Sequence, residues 1–495
     1  MADEVSVRER VKLPPSALMA ESYFAPGLAR SLAHGFEIEI WVHLAHARML
    51  VTQGIISASD GAALSQVLRA MRPEMLGIDG GLEDLYSYVE RYLVRTLGAE
   101  VGGRLHTGRS RNDLQTTTGR MVLRGLVLGV LRSLNVLRRG VLELATAHAG
   151  TVMPGYTHWQ HAQPITFGYY LLAFADVLGR DFGRLRAAYR TANASPLGAG
   201  ALATTAFPLD RFDTMRALGF EGLVEVAYDA VSSRDDAHEA VAGLALLMTN
   251  LSRVCVDLQA WSTLEYRFIE LGDQHSSVSS IMPQKKNPAA LEHIKAAAGA
   301  VTGALVTALS VSKNTAFADV ADGVSGVNAP AVEAAVTTER ILRLMTEVLV
   351  AITVFPERMA ALAEVGFGTA TELADVIVRE TGLSFRMAHN VVATVVAEAI
   401  ATGRTAMAIT AADLERASMA QFGRALGLRA DMVAAALDPR ANVAGRTVTG
   451  GPAPATVAGM LAVRGDWLAR DEAVVEGAAS ALSAARAAVF LPAQA

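Results

Sequence analysis

Three short segments of this chain hold the side chains best suited to chemistry. The first is Ser276-Ser277-Val278-Ser279-Ser280-Ile281-Met282-Pro283-Gln284-Lys285-Lys286-Asn287-Pro288. Its serines offer hydroxyls without an apolar stripe, Pro283 stiffens the exit, and Asn287-Pro288 reads as an N-cap followed by proline at the first helical position. Hydroxyl, ammonium and the positive end of a helix are thereby gathered in a segment that reads as a catalytic lid. The second is Gly102-Gly103-Arg104-Leu105-His106-Thr107-Gly108-Arg109-Ser110-Arg111-Asn112-Asp113, which ends a helical pattern and launches a long helix. Asn112 or Asp113 can cap that helix, and Arg109 and Arg111 lie at its positive end, where guanidinium forks and unpaired N–H groups suit a carboxylate or phosphate. A capped turn with solvated arginines fits equally well. The third, Pro154 to Pro164, is a loop rich in hydrogen-bonding side chains, with Thr157-His158 as the pair of interest.

Other candidate motifs carry less. His43 and His46 lie three apart on an expected helix, but no third ligand at a recognisable spacing makes them a metal site. Ser195 to Ala203 contains a G-x-G-x-x-A match that follows a helix rather than a strand, so a turn is preferred to a dinucleotide site, and no P-loop motif occurs. The single cysteine, Cys255, sits between two valines and reads as a small buried hydrophobe. With 44 Lys and Arg against 49 Asp and Glu, the formal net charge of −5 argues against nucleic acid or an anionic membrane as a general partner. Met1 to Arg8 lacks the apolar core of a signal peptide, and later apolar stretches are broken by charge, as by Arg343 and Glu347. The expectation is a soluble, cytoplasmic protein.

Long helices must position these segments. From Thr116 to about His148 apolar residues recur as Val122, Leu126, Val130, Leu134, Leu137, Val141 and Leu144, at helical spacing and without proline. Similar patterns run at about 165–193, 234–268, 288–313 and 329–353, predicting a mainly α protein built on five long, nearly antiparallel helices. Short helices precede them and shorter patterns follow. The expected division is an N-terminal helical domain at 1–115, a central bundle at 116–365 and a C-terminal helical domain at 366–495. Strands should be few, since no period of two is sustained.

Together these segments resemble the fumarase/aspartase superfamily, most closely its argininosuccinate lyase branch. The similarity also covers Pro196 to Leu209, Asp229 to Asp235, Thr369 to His389 and Gly450 to Val457, and Ser279 to Pro288 carries both the superfamily signature and the branch's Gln-Lys-Lys form. The resemblance implies a homotetramer of three-domain subunits, with active sites shared between subunits and no metal or organic cofactor. It also implies elimination of a nitrogen group from a succinyl skeleton to release fumarate. Residue by residue, it makes Ser279 the general base and Lys285 the stabiliser of the alkoxide and of the dianionic intermediate. His158 serves the leaving nitrogen and Glu292 holds its imidazole, while Ser110, Arg111, Asn112, Thr157, Ser280, Lys285 and Asn287 bind the dicarboxylate half.

Several positions depart from the branch. Val278 replaces a glycine, Ala289 an aspartate and Tyr86 a histidine. By ungapped alignment Asp319, Val324 and Val327 stand where a tyrosine, a glutamine and a lysine hold the amino-acid end of the arginine moiety. Loss of such anchors, each about 1–3 kcal/mol, predicts an altered leaving-group pocket. Asp319 would then face a cationic amine or a group lacking that carboxylate. Authentic argininosuccinate cleavage and a non-catalytic structural relative are the alternatives, and NAD binding at Gly198-Ala199-Gly200 is a remote third.

Overall fold

A computed structural model describes residues 13–491, so the reading of Met1 to Arg8 lies outside the described residues. We label the elements that position the site α1 (Phe36–Thr52), α2 (Leu85–Leu97), α3 (Arg111–Ala147), β1 (Val152–Thr157), β2 (Gln160–Thr166), α4 (Phe167–Ala192), α5 (Asp235–Trp261), β3 (Ser277–Val278), β4 (Lys286–Asn287), α6 (Ala289–Ser312), α7 (Ala321–Ala351) and α8 (Pro454–Phe490). The fold is mainly α, and the five expected rods are α3 to α7. At 1.5 Å per residue α3 extends about 55 Å. Its apolar stripe of Val127, Leu131, Leu134 and Val141 is buried against Leu171 and Leu178 of α4, Leu244 and Leu251 of α5, Leu291 and Ile294 of α6, and Ile341 and Met345 of α7.

Two smaller apolar cores flank this one. The first joins Ile40, Leu44 and Leu50 of α1 to Tyr88 and Leu93 of α2 and to Leu218 and Phe220. The second is formed by residues between Leu373 and Leu437. A sixth rod, α8, is as long as α3. Its Val457, Leu461 and Val475 join the central core and Val489 the N-terminal one, so the end of the chain packs back on the bundle rather than with the 373–437 helices.

The structure corrects four local expectations. The fifth rod starts at Ala321 rather than near 329 and runs through Pro330. The segment around Pro154 to Pro164 is not a loop but the antiparallel hairpin β1–β2, with Val152 opposite Thr166 and Thr157 opposite Gln160. The helix after the serine segment begins at Ala289 with Pro288 in the cap position, because Asn287 is occupied in β4, paired with Ser277. Finally, charge does not break every apolar stretch: α5, α6 and α8 are each long and apolar enough to cross a membrane by length and composition. The apolar window of α5 is 56% buried within the bundle, against 28% for α6 and 11% for α8, so much of two rods is left uncovered in the single chain.

Candidate active site

Ser110, not Asn112 or Asp113, caps α3. Its hydroxyl accepts from the Asn112 N–H at 3.3 Å while Asp113 Oδ1 accepts from the Ser110 N–H at 3.0 Å, a reciprocal capping box. The other Asp113 oxygen accepts from the N–H groups of Gly198 and Gly200, both at 3.0 Å. The glycine turn that mimics a dinucleotide fingerprint is therefore a clasp for this carboxylate, and its φ values of 84° and 62° at Gly198 and Gly200 explain the glycines. Burial pushes the Asp113 carboxyl up to about 6, against the pull of these three N–H groups and of Arg109. Asn112 is held by donation to the Ala201 carbonyl at 3.2 Å, and Arg111 bridges Glu83 at 2.9 Å and Asp84 at 3.3 Å.

The second segment is positioned by backbone strain. His158 and Trp159 are the two central residues of the β1–β2 turn, with φ of 54° and 61°, the left-handed pair a two-residue hairpin turn requires and that glycine or asparagine normally supplies. Thr157, His158 and Trp159 are all exposed. The imidazole thus projects from the tip of a ribbon anchored in the central core through Met153, and through Val152 in a separate apolar cluster with Ala363 and Val443.

The serine segment folds as a second, smaller hairpin. β3 and β4 pair Ser277 with Asn287 and Val278 with Lys286, leaving Ser279 to Lys285 as the loop. Ser279 Oγ accepts from the Met282 N–H at 3.0 Å, and Ile281 N–H lies at 3.4 Å. Backbone N–H groups therefore already address this oxygen, the arrangement that favours an alkoxide. Lys286 anchors the hairpin base to Glu270 at 2.9 Å and Asp273 at 2.7 Å, which leaves Lys285 as the lysine of the loop without a carboxylate partner among the described residues. Asn287 Nδ2 reaches Ser277 Oγ at 3.4 Å. Val278 and Ile281 are 86% and 83% exposed, and Ser280 and Lys285 are exposed beside them. Glu292, exposed on α6, accepts from Gln259 at 3.5 Å, and Gln259 in turn accepts from Lys295.

A cavity of about 420 Å³ opens at the start of α3, lined by Arg111, Asn112 and Gln115 on one side and Asp319, Val320 and Val324 on another. Asp319 is not a free anion: its carboxylate receives Arg234 Nη2 at 3.0 Å, and Arg234 is 9% exposed. Burial raises the Asp319 carboxyl and Arg234 works against that rise. Val324 faces the cavity, but Val327 is fully buried in the central core, so the third altered position is a packing residue here. Two residues overlooked in the sequence belong to this region: Arg234, and Glu39 of α1, a buried acid on the cavity wall. His43 and His46 are buried core histidines beside Glu39, with His43 Nδ1 facing Arg109 Nη1 at 3.0 Å.

The chain therefore brings together Arg111, Asn112 and Asp319 around one cavity, with Ser110 capping the helix beside it, Thr157 and His158 on one hairpin, and Ser279, Ser280, Lys285 and Asn287 on another. Among the described residues no hydrogen bond or ion pair joins one group to another, and none joins His158 to Glu292.

A family model described as lyase matches residues 30–303, and one described as the argininosuccinate lyase C-terminal region matches 367–444. Argininosuccinate lyase 1 of Shouchella clausii (strain KSM-K16) is 41% identical over 479 residues, 96% of each chain. Argininosuccinate lyase of Methanoculleus marisnigri (strain ATCC 35101 / DSM 1498 / JR1) is 42% identical over 452 residues, 90% of each. Among solved structures, EDDS lyase in complex with formate is 35% identical and superposes with a TM-score of 0.87 over 95% of this chain and 93% of that one. An EDDS lyase variant with bound fumarate superposes equally well, with a TM-score of 0.87 over 96% of this chain and 97% of that one. The chain belongs to the argininosuccinate lyase branch of the fumarase/aspartase superfamily, and by that membership it is a carbon–nitrogen lyase.

Proposed function

We propose that this protein eliminates a nitrogen group from an N-substituted aspartate to give fumarate, with a leaving-group pocket different from that for arginine. Ser279 takes the proton from the carbon beside a carboxylate, and the C–N bond then breaks with its electron pair leaving on nitrogen, which is protonated. The observation that carries the reading is the Ser279 hydroxyl, already addressed by the Met282 N–H on a hairpin that also presents Lys285. Lys285 and the loop N–H groups stabilise the doubly charged intermediate. Asn112, Arg111, Ser110, Thr157, Ser280 and Asn287 receive the two carboxylates, and His158, oriented by Glu292, serves the leaving nitrogen.

These groups lie on separate parts of one chain, so the reading includes a homotetramer in which copies complete one another's sites. The uncovered faces of α6 and α8, with Val306 and Leu309 at 59% and 50% exposed, support that assembly. The altered pocket rests on the neutralised Asp319, the aliphatic Val324 and the buried Val327, none of which offers an amino acid's carboxylate a cation.

A second reading, authentic argininosuccinate cleavage, is favoured by relatives of that name at 41–42% identity. Purified protein given argininosuccinate and followed for fumarate separates the two. Slow or absent release is expected, and turnover matching an authentic lyase refutes the altered pocket. Ser279→Ala, with the assembly retained by light scattering, should abolish fumarate formation from whichever substrate is cleaved, and retained activity refutes the assigned base.

A further inference from the structure

Four carboxyl groups line the cavity at the start of α3: Glu39, Glu83, Asp84 and Asp319. Three face an arginine, Glu83 and Asp84 through Arg111 and Asp319 through Arg234. Glu39 is the exception among the described residues. Its side chain is 8% exposed, its Oε1 has no hydrogen-bond partner, and His43 Nε2 lies 3.5 Å from it.

The tautomer of that histidine follows from its other side. Arg109 Nη1 lies 3.0 Å from His43 Nδ1, and a guanidinium can only donate, so Nδ1 accepts and the imidazole proton sits on Nε2, on the Glu39 side. Arg109 is itself buried, with Nε and Nη2 unpartnered. A negative charge arriving on Glu39 would be stabilised through His43 by the buried positive charge of Arg109, which also acts on Asp113.

Resting on the lyase reading above, we propose that Glu39 is the specificity-determining residue for the leaving group, forming an ion pair with a cationic second nitrogen carried by the departing amine. Asp319, the acid suggested by sequence, is already committed to Arg234. Burial first, and then the charge of Asp84, push the Glu39 carboxyl up to about 8 while Arg109 opposes them, so Glu39 gives up a proton to solvent when the cation binds. The other groups facing it leave that step visible. Burial holds His43 and His46 well below the ordinary histidine value and His106 down at about 4, and raises Tyr86, whose hydroxyl donates to Glu90 at 2.6 Å. Asp84 and Arg109 are the other ionisable side chains that act on Glu39, and Arg111 lies on the same cavity wall.

The test is amine addition to fumarate with two probes of matched length, ethylenediamine and propylamine, plus ammonia as the minimal nucleophile. With kcat/KM expressed per species carrying an unprotonated amino group, wild-type protein should prefer ethylenediamine by at least about tenfold above pH 8, mostly through KM, with the preference growing between about pH 7 and 9. Glu39→Gln should bring the ratio to about one while changing propylamine turnover by less than about twofold, and Glu39→Asp should restore part of it. An unchanged ratio in folded Glu39→Gln overturns the proposal, as does a flat pH profile of the ratio in the wild type, which requires no variant to fold. If none of the three nucleophiles consumes fumarate, the altered amine pocket on which the proposal rests falls, and the proposal with it. Turnover of ammonia or propylamine without a preference for ethylenediamine removes only the role of Glu39.

Discussion

Replacing Asp113 with alanine puts a buried carboxylate's two opposing influences into direct competition. The side chain is fully buried and accepts three backbone N–H groups, from Ser110, Gly198 and Gly200, each at 3.0 Å. Orphaning three buried donors costs about 1 kcal/mol each at the low end, so Asp113→Ala should lose about 3 kcal/mol or more at pH 7. The pH dependence is the sharper part. Burial raises the carboxyl from 3.8 to about 6 despite the N–H groups. A folded value above the unfolded one means that the folded state binds the proton more tightly. Wild-type stability from this group is thus fully present below about pH 4 and is lost as pH rises through about 6, a change of roughly 3 kcal/mol that alanine cannot show. Urea denaturation followed by circular dichroism at several pH values, taken as wild type minus variant, cancels most other titrating groups. The difference should widen as pH falls from about 6 to about 4. A difference that narrows in that window would mean that the hydrogen bonds outweigh desolvation and hold the carboxyl below its ordinary value, which refutes the burial argument.

Two further perturbations test the pocket wall and the hairpin. Arg234→Gln leaves the Asp319 carboxylate, 20% exposed, without its cation, and should cost about 1–3 kcal/mol at pH 7, discounted for that exposure. The variant's Asp319 is raised further, so its deficit should shrink in denaturation curves as pH falls, and a deficit independent of pH refutes the pairing as its source. Trp159→Gly removes a left-handed non-glycine residue at φ 61° whose side chain is 59% exposed. Relief of about 1 kcal/mol should raise the thermal midpoint. A fall instead would show that the indole is packed in the assembled protein, evidence that the hairpin tip meets another copy.

What was legible in the sequence follows from which interactions are local. The rods α3 to α7 announce themselves because branched and long aliphatic residues recur at helical spacing. The last rod does not, because its packing marks, Val457, Leu461, Leu468, Val475 and Val489, are sparse among alanines that give no stripe. The cap of α3 falls two or three residues before the expected one because Ser110, Asn112 and Asp113 are all competent caps, and it is the reciprocal bond between Ser110 and Asp113 that selects Ser110. The β1–β2 hairpin was hidden by Pro154, Gly155 and Pro164, which read as loop, and by a turn lacking glycine or asparagine. Arg234 and Asp319 lie 85 residues apart, and nothing local to either predicts the pair.

The exposure of the reactive groups carries the last step. A serine hydroxyl in water is a poor base, since water hydrates the hydroxyl and gives the alkoxide no advantage; the two N–H donors from Ile281 and Met282 do not reverse that with the loop open to solvent. The proposed chemistry therefore requires the Ser279 hairpin to be covered, and the residues exposed on it suit contact rather than solvation: Val278 and Ile281 are more than four-fifths exposed, and Met282 is 41% exposed. His158 poses the same problem in complementary form. It is held on a strained turn, with no partner inside the chain among the described residues, at the tip of a ribbon rooted in the core. Strain of this kind persists where the surroundings or a function hold it in place. In the proposed assembly one copy's hairpin tip meets the cavity and serine loop of others, which would exclude water from Ser279, satisfy His158 and bury the apolar loop residues in a single event. Catalytic competence and assembly then become one equilibrium, and dilution to dissociated subunits should abolish activity while leaving each chain folded.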